Sequence, residues 1–458
     1  MSGIGRFGAT AWHDLGGDPA LLETVAPLDP PASLASRLDV VGLAADSVAL
    51  SVLAIHEALA ARGMTTAMPP VRVSGDRLCT SIRSERSFRV GDEQSHAWAP
   101  MSGFFQVADG WVRTHGNYPH HTARLREILG VSEETAPTAV QEAFRSWSAQ
   151  ALEDQAAERG ALAVRVRTPE EWTHHPQARA LTGTPLLDLR PLTAGPGKAW
   201  TPASRPLDGV RVLDLTRVIA GPIASRDLAF AGADVLRIDS PNLPEIPWQH
   251  LDTGQGKHST LLDLSARHDR ATFEELLAGA DIVITGYRPG GLDSLGLSPE
   301  ALAERRPGII VGRVSAWGTV GPWAHRRGFD SIVQAASGIG VIESDDGTTP
   351  GAMPAQALDH SAGHFLAAGL IHALVTGRES GHGASVAVAL ARVAQELLAA
   401  GVRADKCADS RPRQIIQTGR SGGTALTTAA PVLTYEGAPN EYPEFGGSWA
   451  ADPPRWRT

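Results

Sequence analysis

Asp359 stands in Gln356-Ala357-Leu358-Asp359-His360-Ser361-Ala362-Gly363, where a small-residue loop is predicted to run into a long apolar helix beginning at His360. A carboxylate at a helix N-terminus is held as an anion by free backbone N–H groups and the helix dipole, and in that form it can attack an activated acyl group. Asp is also among the commonest N-caps, so the local pattern alone favours a cap without chemistry. Gly419-Arg420-Ser421-Gly422-Gly423 has the spacing of a hydrolase nucleophile elbow. Three fixed positions are cheap to match in a chain with 48 glycines, however, and no helix is evident after them. His115, His120 and His121 fit no metal-binding helix face and have no evident carboxylate partners, so they read as surface or hairpin histidines and no metal site is expected.

The elements that must position these groups fall into three stretches. Residues 1–203 contain an apolar helix near 44–61, a strand at 71–73, a hairpin over 103–112 turning at Asp109-Gly110, and helical stretches at 122–129 and 138–159. Pro and Gly at short intervals over 191–206 read as a linker. From Leu207 the texture becomes alternating strand and helix: apolar runs at 210–215, 234–239, 281–285 and 309–314 are separated by helix-length segments, which predicts right-handed βαβ units and a parallel sheet with helices on both faces. Ligands of such sheets bind beyond the carboxyl ends of the strands. The turn Thr216-Arg217-Val218-Ile219-Ala220-Gly221 lacks the triple-glycine fingerprint of a nicotinamide site. Residues 401–458, rich in Gly, Pro and Trp, are expected to wrap as a tail.

Composition narrows the function classes. A net charge of −9 argues against nucleic acid or an anionic membrane as partner. Two widely separated cysteines exclude a disulfide framework or structural zinc. With no signal peptide and no apolar run read as long enough to cross a bilayer, a cytoplasmic location is expected. A weak internal repeat is also present: Leu366–Leu374 with Ala384–Val388 resembles Leu50–Leu59 with Val71–Val73, both placing Ile-His inside an apolar helix, and in that register Leu43 falls where Asp359 stands.

Several linked motifs, in order over about 190 residues, resemble the family III CoA-transferases of the formyl-CoA and L-carnitine type. They are Pro206-Leu207-Asp208-Gly209-Val210-Arg211-Val212-Leu213-Asp214-Leu215, Ala231-Gly232-Ala233-Asp234-Val235-Leu236, Gly256-Lys257-His258-Ser259-Thr260, Ala280-Asp281-Ile282-Val283-Ile284-Thr285-Gly286-Tyr287-Arg288-Pro289-Gly290, and Trp317-Gly318-Thr319-Val320-Gly321-Pro322 ahead of Gly328-Phe329-Asp330. The resemblance implies an α/β fold, with a Rossmann-like domain at 204–400 and a smaller α+β module at 1–203 that lies before the domain it ordinarily follows. It further implies a homodimer of interlocked chains, with acyl-CoA and a carboxylic acid as substrates and no tightly bound cofactor.

By motif position Asp359 is the nucleophile, forming an aspartyl covalent intermediate. Coenzyme A would contact Arg217, Val218, Ile219, Ala220, Lys257, Gly286, Tyr287, Arg288, Ser315, Ala316 and Trp317, with Lys257 and Arg288 suited to its phosphates. Ser240 and Ser294 stand where some family members carry phosphate-binding Arg. Racemases of the same fold use a His at the position of Phe329, so that reaction is disfavoured here. The reading from a different class is a catalytically silent member that binds acyl-CoA or a partner subunit.

Overall fold

The computed structural model describes residues 3–457. Its main sheet contains β1 (Asp188–Leu192), β2 (Arg211–Leu215), β3 (Asp234–Asp239), β4 (Lys257–Leu261), β5 (Ile282–Thr285), β6 (Ile310–Ser315) and β7 (Gly383–Ala389), in the order β1-β7-β6-β5-β2-β3-β4. Strands β2 to β7 are parallel, and β1 is antiparallel to β7. Their Val, Leu and Ile runs are buried on both faces, as a parallel sheet covered by helices requires. Strand order reverses between β2 and β5, so the loops after those strands diverge and leave a crevice at their carboxyl ends. β1 is donated by the segment that precedes this sheet, and it starts before the stretch read as a linker.

Four helices bear on the site: α1 (Val40–Ala61), α2 (Ala220–Phe230), α3 (Asp330–Ala336) and α4 (Ala357–Gly377). Helices α1 and α4, the two helices of the internal repeat, pack against each other, and α4 also packs on α2 and on β6 and β7. A helix that is apolar on all sides must be buried on all sides. That describes both α1 and α4. Against the expectation that no apolar run is long enough to cross a bilayer, α1 is so by length and composition, but most of it is enclosed within the fold. The repeat does not extend to the second strand: 71–73 forms only an isolated bridge from Val25 to Val71.

The smaller α+β unit contains the antiparallel strands Gly103–Val107, Gly110–Thr114 and Ala163–Arg165, packed on helices at Pro119–Leu129, Pro137–Arg145 and Ala149–Arg159 around its own apolar core. The last two helices replace the single helix expected at 138–159. Ser148 breaks the run because its side chain accepts from the Ala151 N–H and caps a fresh N-terminus. In the C-terminal stretch, Ile416–Ser421 and Thr424–Ala429 form a hairpin that pairs with Arg89–Val90, while Asp452 and Arg457 reach β4 and β3. Ser421 ends a strand and turns through Gly422-Gly423 into another strand, so no nucleophile elbow exists there.

Gly363 sets the spacing between α4 and α2. A Cβ at that position would stand 2.5 Å from the Ala220 carbonyl oxygen and 2.8 Å from Ile223 Cβ. Gly363→Val is expected to lower stability by about 1–3 kcal/mol, as overpacking does. Chemical denaturation checks this, and an unchanged midpoint would contradict the close approach.

Candidate active site

Asp359 lies in the first turn of α4, which begins at Ala357, three residues before the expected start. Gln356, at the N-cap position, makes no side-chain cap. The cap comes instead from a neighbouring segment: Asp330 Oδ2 accepts the Asp359 N–H at 3.0 Å, and the Leu358 N–H also points to this carboxyl. Asp330 Oδ1 accepts from Gln334 Nε2 at 2.5 Å. Asp330, at the first position of α3, is therefore the group that fixes the backbone of Asp359.

This arrangement inverts the expected electrostatics. Burial, and then the charge of Asp330, push the Asp359 carboxyl well above its ordinary range, so the helix start does not by itself keep it ionised. Burial raises Asp330 to about 6, against hydrogen bonds from Gln334, Asp359 and Leu358 that pull the other way. The adjacent His360 imidazole is driven far down by burial, by His364 and by Arg226, and is neutral.

Asp359 is 6% exposed and lines a cavity of about 390 Å³. The cavity draws on both units: Trp98, Phe104, Arg113 and His115 from the smaller unit, Val218 and Ile219 from the loop after β2, and Phe329, Met353 and Asp359 from the segments between β6 and β7. Apolar walls with a few convergent polar groups are the usual composition of a small-molecule site. Buried side-chain atoms of Ser95, Arg113, His115, Gln249, Ser331 and His360, all of which line this cavity, have no hydrogen-bond partner. Buried polar groups are normally paired, so orphans gathered around one cavity mark a place where a polar ligand is met. Sequence reasoning passed over Arg113, and it placed His115 and His121 on the surface or in the hairpin. Both histidines are buried, because the three-stranded sheet folds over Phe329 and stacks His115 on its ring at 3.9 Å.

The expected coenzyme A contacts separate into two groups. Val218 and Ile219 line the cavity, and Val218 is held at φ 74°, a strained conformation for a β-branched residue of the kind that clusters at functional sites. Ala220 opens α2 against Gly363. Gly286, Tyr287 and Arg288 follow β5 at the other lip of the crevice, with Gly286 and Arg288 exposed and Tyr287 half-buried. Arg288 lowers the affinity of Arg327 for its proton, as does Arg124, after the burial of Arg327 itself. None of the three is ion-paired to a carboxylate among the described residues. Arg124 and Arg327 were missed because they are far from Arg288 in sequence and meet it only when the smaller unit folds over the sheet.

The second group lies elsewhere. Lys257 is 4% exposed, its ammonium donating to the Pro222 carbonyl at 2.6 Å and to Asp214 at 3.3 Å, with burial lowering it to about 8. It pins α2 to the sheet and cannot reach a phosphate. Arg217 donates to the Pro244 carbonyl, lies 3.6 Å from Glu245 and covers the Tyr118 ring, joining the smaller unit to the sheet. Ser315 accepts from the Gly318 N–H, the Ala316 carbonyl accepts from Ala391, and Trp317 is buried, its indole donating to the Arg327 carbonyl at 3.1 Å. These three shape the turn that holds Arg327 and do not line the cavity.

The CoA-transferase family III model matches residues 207–439, slightly more than half of the chain. The chain belongs to this family. It is 33% identical over 190 residues to the probable fatty acyl-CoA transferase Rv3272 of Mycobacterium tuberculosis, covering 39% of this chain and 48% of that protein. It is 36% identical over 137 residues to the acetyl-CoA:oxalate CoA-transferase of Acetobacter aceti, covering 30% of this chain and 35% of the other. The chain thus spans about half the length of the first of these relatives and less of the second. Among solved structures, a CAIB/BAIF family protein from Brucella suis is 26% identical and superposes with a TM-score of 0.40 over 48% of this chain and 65% of its own.

Because the negative charge of Asp330 raises Asp359, its removal lowers Asp359. In Asp330→Asn the infrared carbonyl band of protonated Asp359 is expected to titrate away about one pH unit or more lower than in the native chain. A midpoint that stays or rises would show that the two carboxyls do not share one field.

Proposed function

We propose that this chain moves CoA between an acyl thioester and a carboxylic acid, with Asp359 as nucleophile. One observation carries the reading: the cavity that exposes Asp359 is also walled by Val218 and Ile219, at the switch point where a parallel sheet of this order takes its ligand. Family membership supports the reaction class. The named activities of relatives, which include oxalate and L-malate as CoA acceptors, support a carboxylic acid as the second substrate.

In the proposed sequence an Asp359 oxygen attacks the thioester carbonyl, the C–S bond breaks, and CoA thiolate leaves an acyl-aspartyl anhydride. The thiolate attacks the aspartyl carbonyl and expels the first acid, leaving an aspartyl-CoA thioester. The incoming carboxylate displaces the thiolate to form a second anhydride, and the thiolate attacks its acyl carbon, regenerating Asp359. Apolar walls formed by Trp98, Phe104 and Phe329 keep water from these activated species, and a carboxylate stripped of water is the stronger nucleophile. Arg124, Arg288 and Arg327 are proposed to hold the phosphates of CoA, where charge-assisted bonds from Arg are strong. We also infer a homodimer in the cytoplasm.

Intact-mass measurement after mixing with acetyl-CoA is expected to show a CoA adduct that maps to Asp359, and Asp359→Ala is expected to abolish it and cut transfer by about a thousandfold or more. Transfer that survives in Asp359→Ala would remove the mechanism. A chain that forms no adduct and binds no CoA would be the silent family member. Arg288→Ala with Arg327→Ala is expected to raise KM for acyl-CoA about tenfold or more while kcat changes little. An unchanged KM would place the phosphates elsewhere.

A second reading, α-proton exchange, has one observation in its favour. His115 brings a neutral imidazole, lowered to about 3 by burial and by Arg113, against Phe329, the position at which racemases of this fold carry histidine. Deuterium entering the acyl α-carbon from heavy water, faster than CoA transfer, would favour it.

A further inference from the structure

Two guanidinium groups line the cavity, and among the described residues only one of them has a hydrogen-bond or ion-pair partner. Arg86 donates to the Pro354 carbonyl and lies 3.7 Å from Glu85. The Arg113 side chain is buried, with the residue 8% exposed; its guanidinium has no hydrogen bond or ion pair to any described residue and leaves Nε orphaned, and Asp330, whose charge acts on it through space, does not contact it. Its guanidinium is clamped between the rings of Trp98, at 4.6 Å, and Phe104, at 4.9 Å, so it is prevented from turning out to solvent. Its strand ends one residue before His115, which also lines the cavity and also carries an orphaned ring nitrogen. An unpaired buried cation is costly, and Arg presents a planar fork that matches a carboxylate.

We propose that Arg113 is the seat of a carboxylate on the substrate acid, and that this acid is a short dicarboxylate: one carboxylate lies on Arg113 while the other is presented to Asp359. The inference rests on the transfer reading for the identity of the second carboxylate. Charge conservation through the reaction separates a dicarboxylate from a monocarboxylate. The carboxyl that becomes a thioester or an anhydride loses its charge. If that group were the only one to contact Arg113, the guanidinium would be left buried with no hydrogen-bonded anion in the acyl-CoA and anhydride states, and only the distant charge of Asp330 to offset it. A second carboxylate, which takes no part in bond making, keeps Arg113 paired in every covalent state. A cavity of about 390 Å³ suits a short acid together with the thioester end of CoA.

The test is calorimetric binding to the full chain, without acyl-CoA, of malonate, succinate and glutarate, each against the monocarboxylate of equal carbon number. At least one dicarboxylate is expected to bind about tenfold or more tightly than its counterpart, the contribution of a charge-assisted pair. That preference is expected to shrink below about threefold in Arg113→Gln and to persist in part in Arg113→Lys. Equal affinities in the native chain overturn the proposal without recourse to any variant, and so does a preference that survives in Arg113→Gln. A chain that forms the Asp359 adduct but shows no dicarboxylate preference loses this inference and keeps the transfer reading. Dicarboxylate preference without any adduct has the opposite meaning.

Discussion

The site depends on a helix start that is capped from outside its own segment. Asp330 supplies the acceptor that Gln356 does not, and by taking the Asp359 N–H it fixes the direction in which the Asp359 side chain leaves the backbone. Free N–H groups in a buried helix terminus must find a partner. Supplying that partner with a carboxylate places two acids side by side in a water-poor environment. One consequence is geometric, since the nucleophile is held by a main-chain bond and its side chain needs no orienting partner. The other is electrostatic: each carboxyl makes the other harder to ionise, and the cavity therefore requires a cation to hold the working charge state.

The cations come from the smaller unit and from loops at the crevice, which accounts for the packing between the two parts. Glu245 is the joint. Burial alone would raise its carboxyl, yet Arg237 and Arg217 hold it down, and it accepts the Tyr118 hydroxyl at 2.6 Å. That hydrogen bond ties the α/β sheet to the helix entry that follows the His115 strand. With Tyr118 seated, Phe329 is covered by His115, and Arg113 is carried to the cavity wall. A rigid aromatic layer over Phe329 thus links the joint to the site, and its stacked rings leave little freedom for Arg113 to adjust.

Much of the frame was legible in the sequence because its signals are local. The runs at 210–215, 234–239, 281–285 and 309–314 coincide closely with β2, β3, β5 and β6, since a strand buried on both faces is apolar at most positions. Asp359 was singled out by its place before an apolar run, and it does face a cavity. What was not legible depends on tertiary neighbours. Lys257 read as a phosphate ligand from its motif position and its charge, but the carbonyl of Pro222 and the carboxylate of Asp214 draw it inside. Arg113, just beyond the expected hairpin, was not singled out, because nothing local shows that Trp98 and Phe104 enclose it. The cap on α4 was assigned to Asp359 because Asp caps helices, and the true cap lies 29 residues upstream.

The pairing of α1 with α4 gives the internal repeat a physical meaning. Both helices are apolar around their full circumference and neither can face water, so each is the other's solvent. In the register of the repeat Leu43 corresponds to Asp359 and is fully buried, whereas Asp359 opens on the cavity. The strand that should follow α1 is reduced to one bridge at Val71, while β7 follows α4 in full. The first copy has therefore kept the helix needed to bury α4 and lacks both the carboxylate and the sheet that would make a second crevice. A helix that serves only as a wall needs no reacting group at its start, and Asp39 caps α1 locally by accepting the Gly42 N–H. The two helix starts thus divide along chemistry: the one capped by its own neighbour is structural, and the one capped from a distance carries the group that must react.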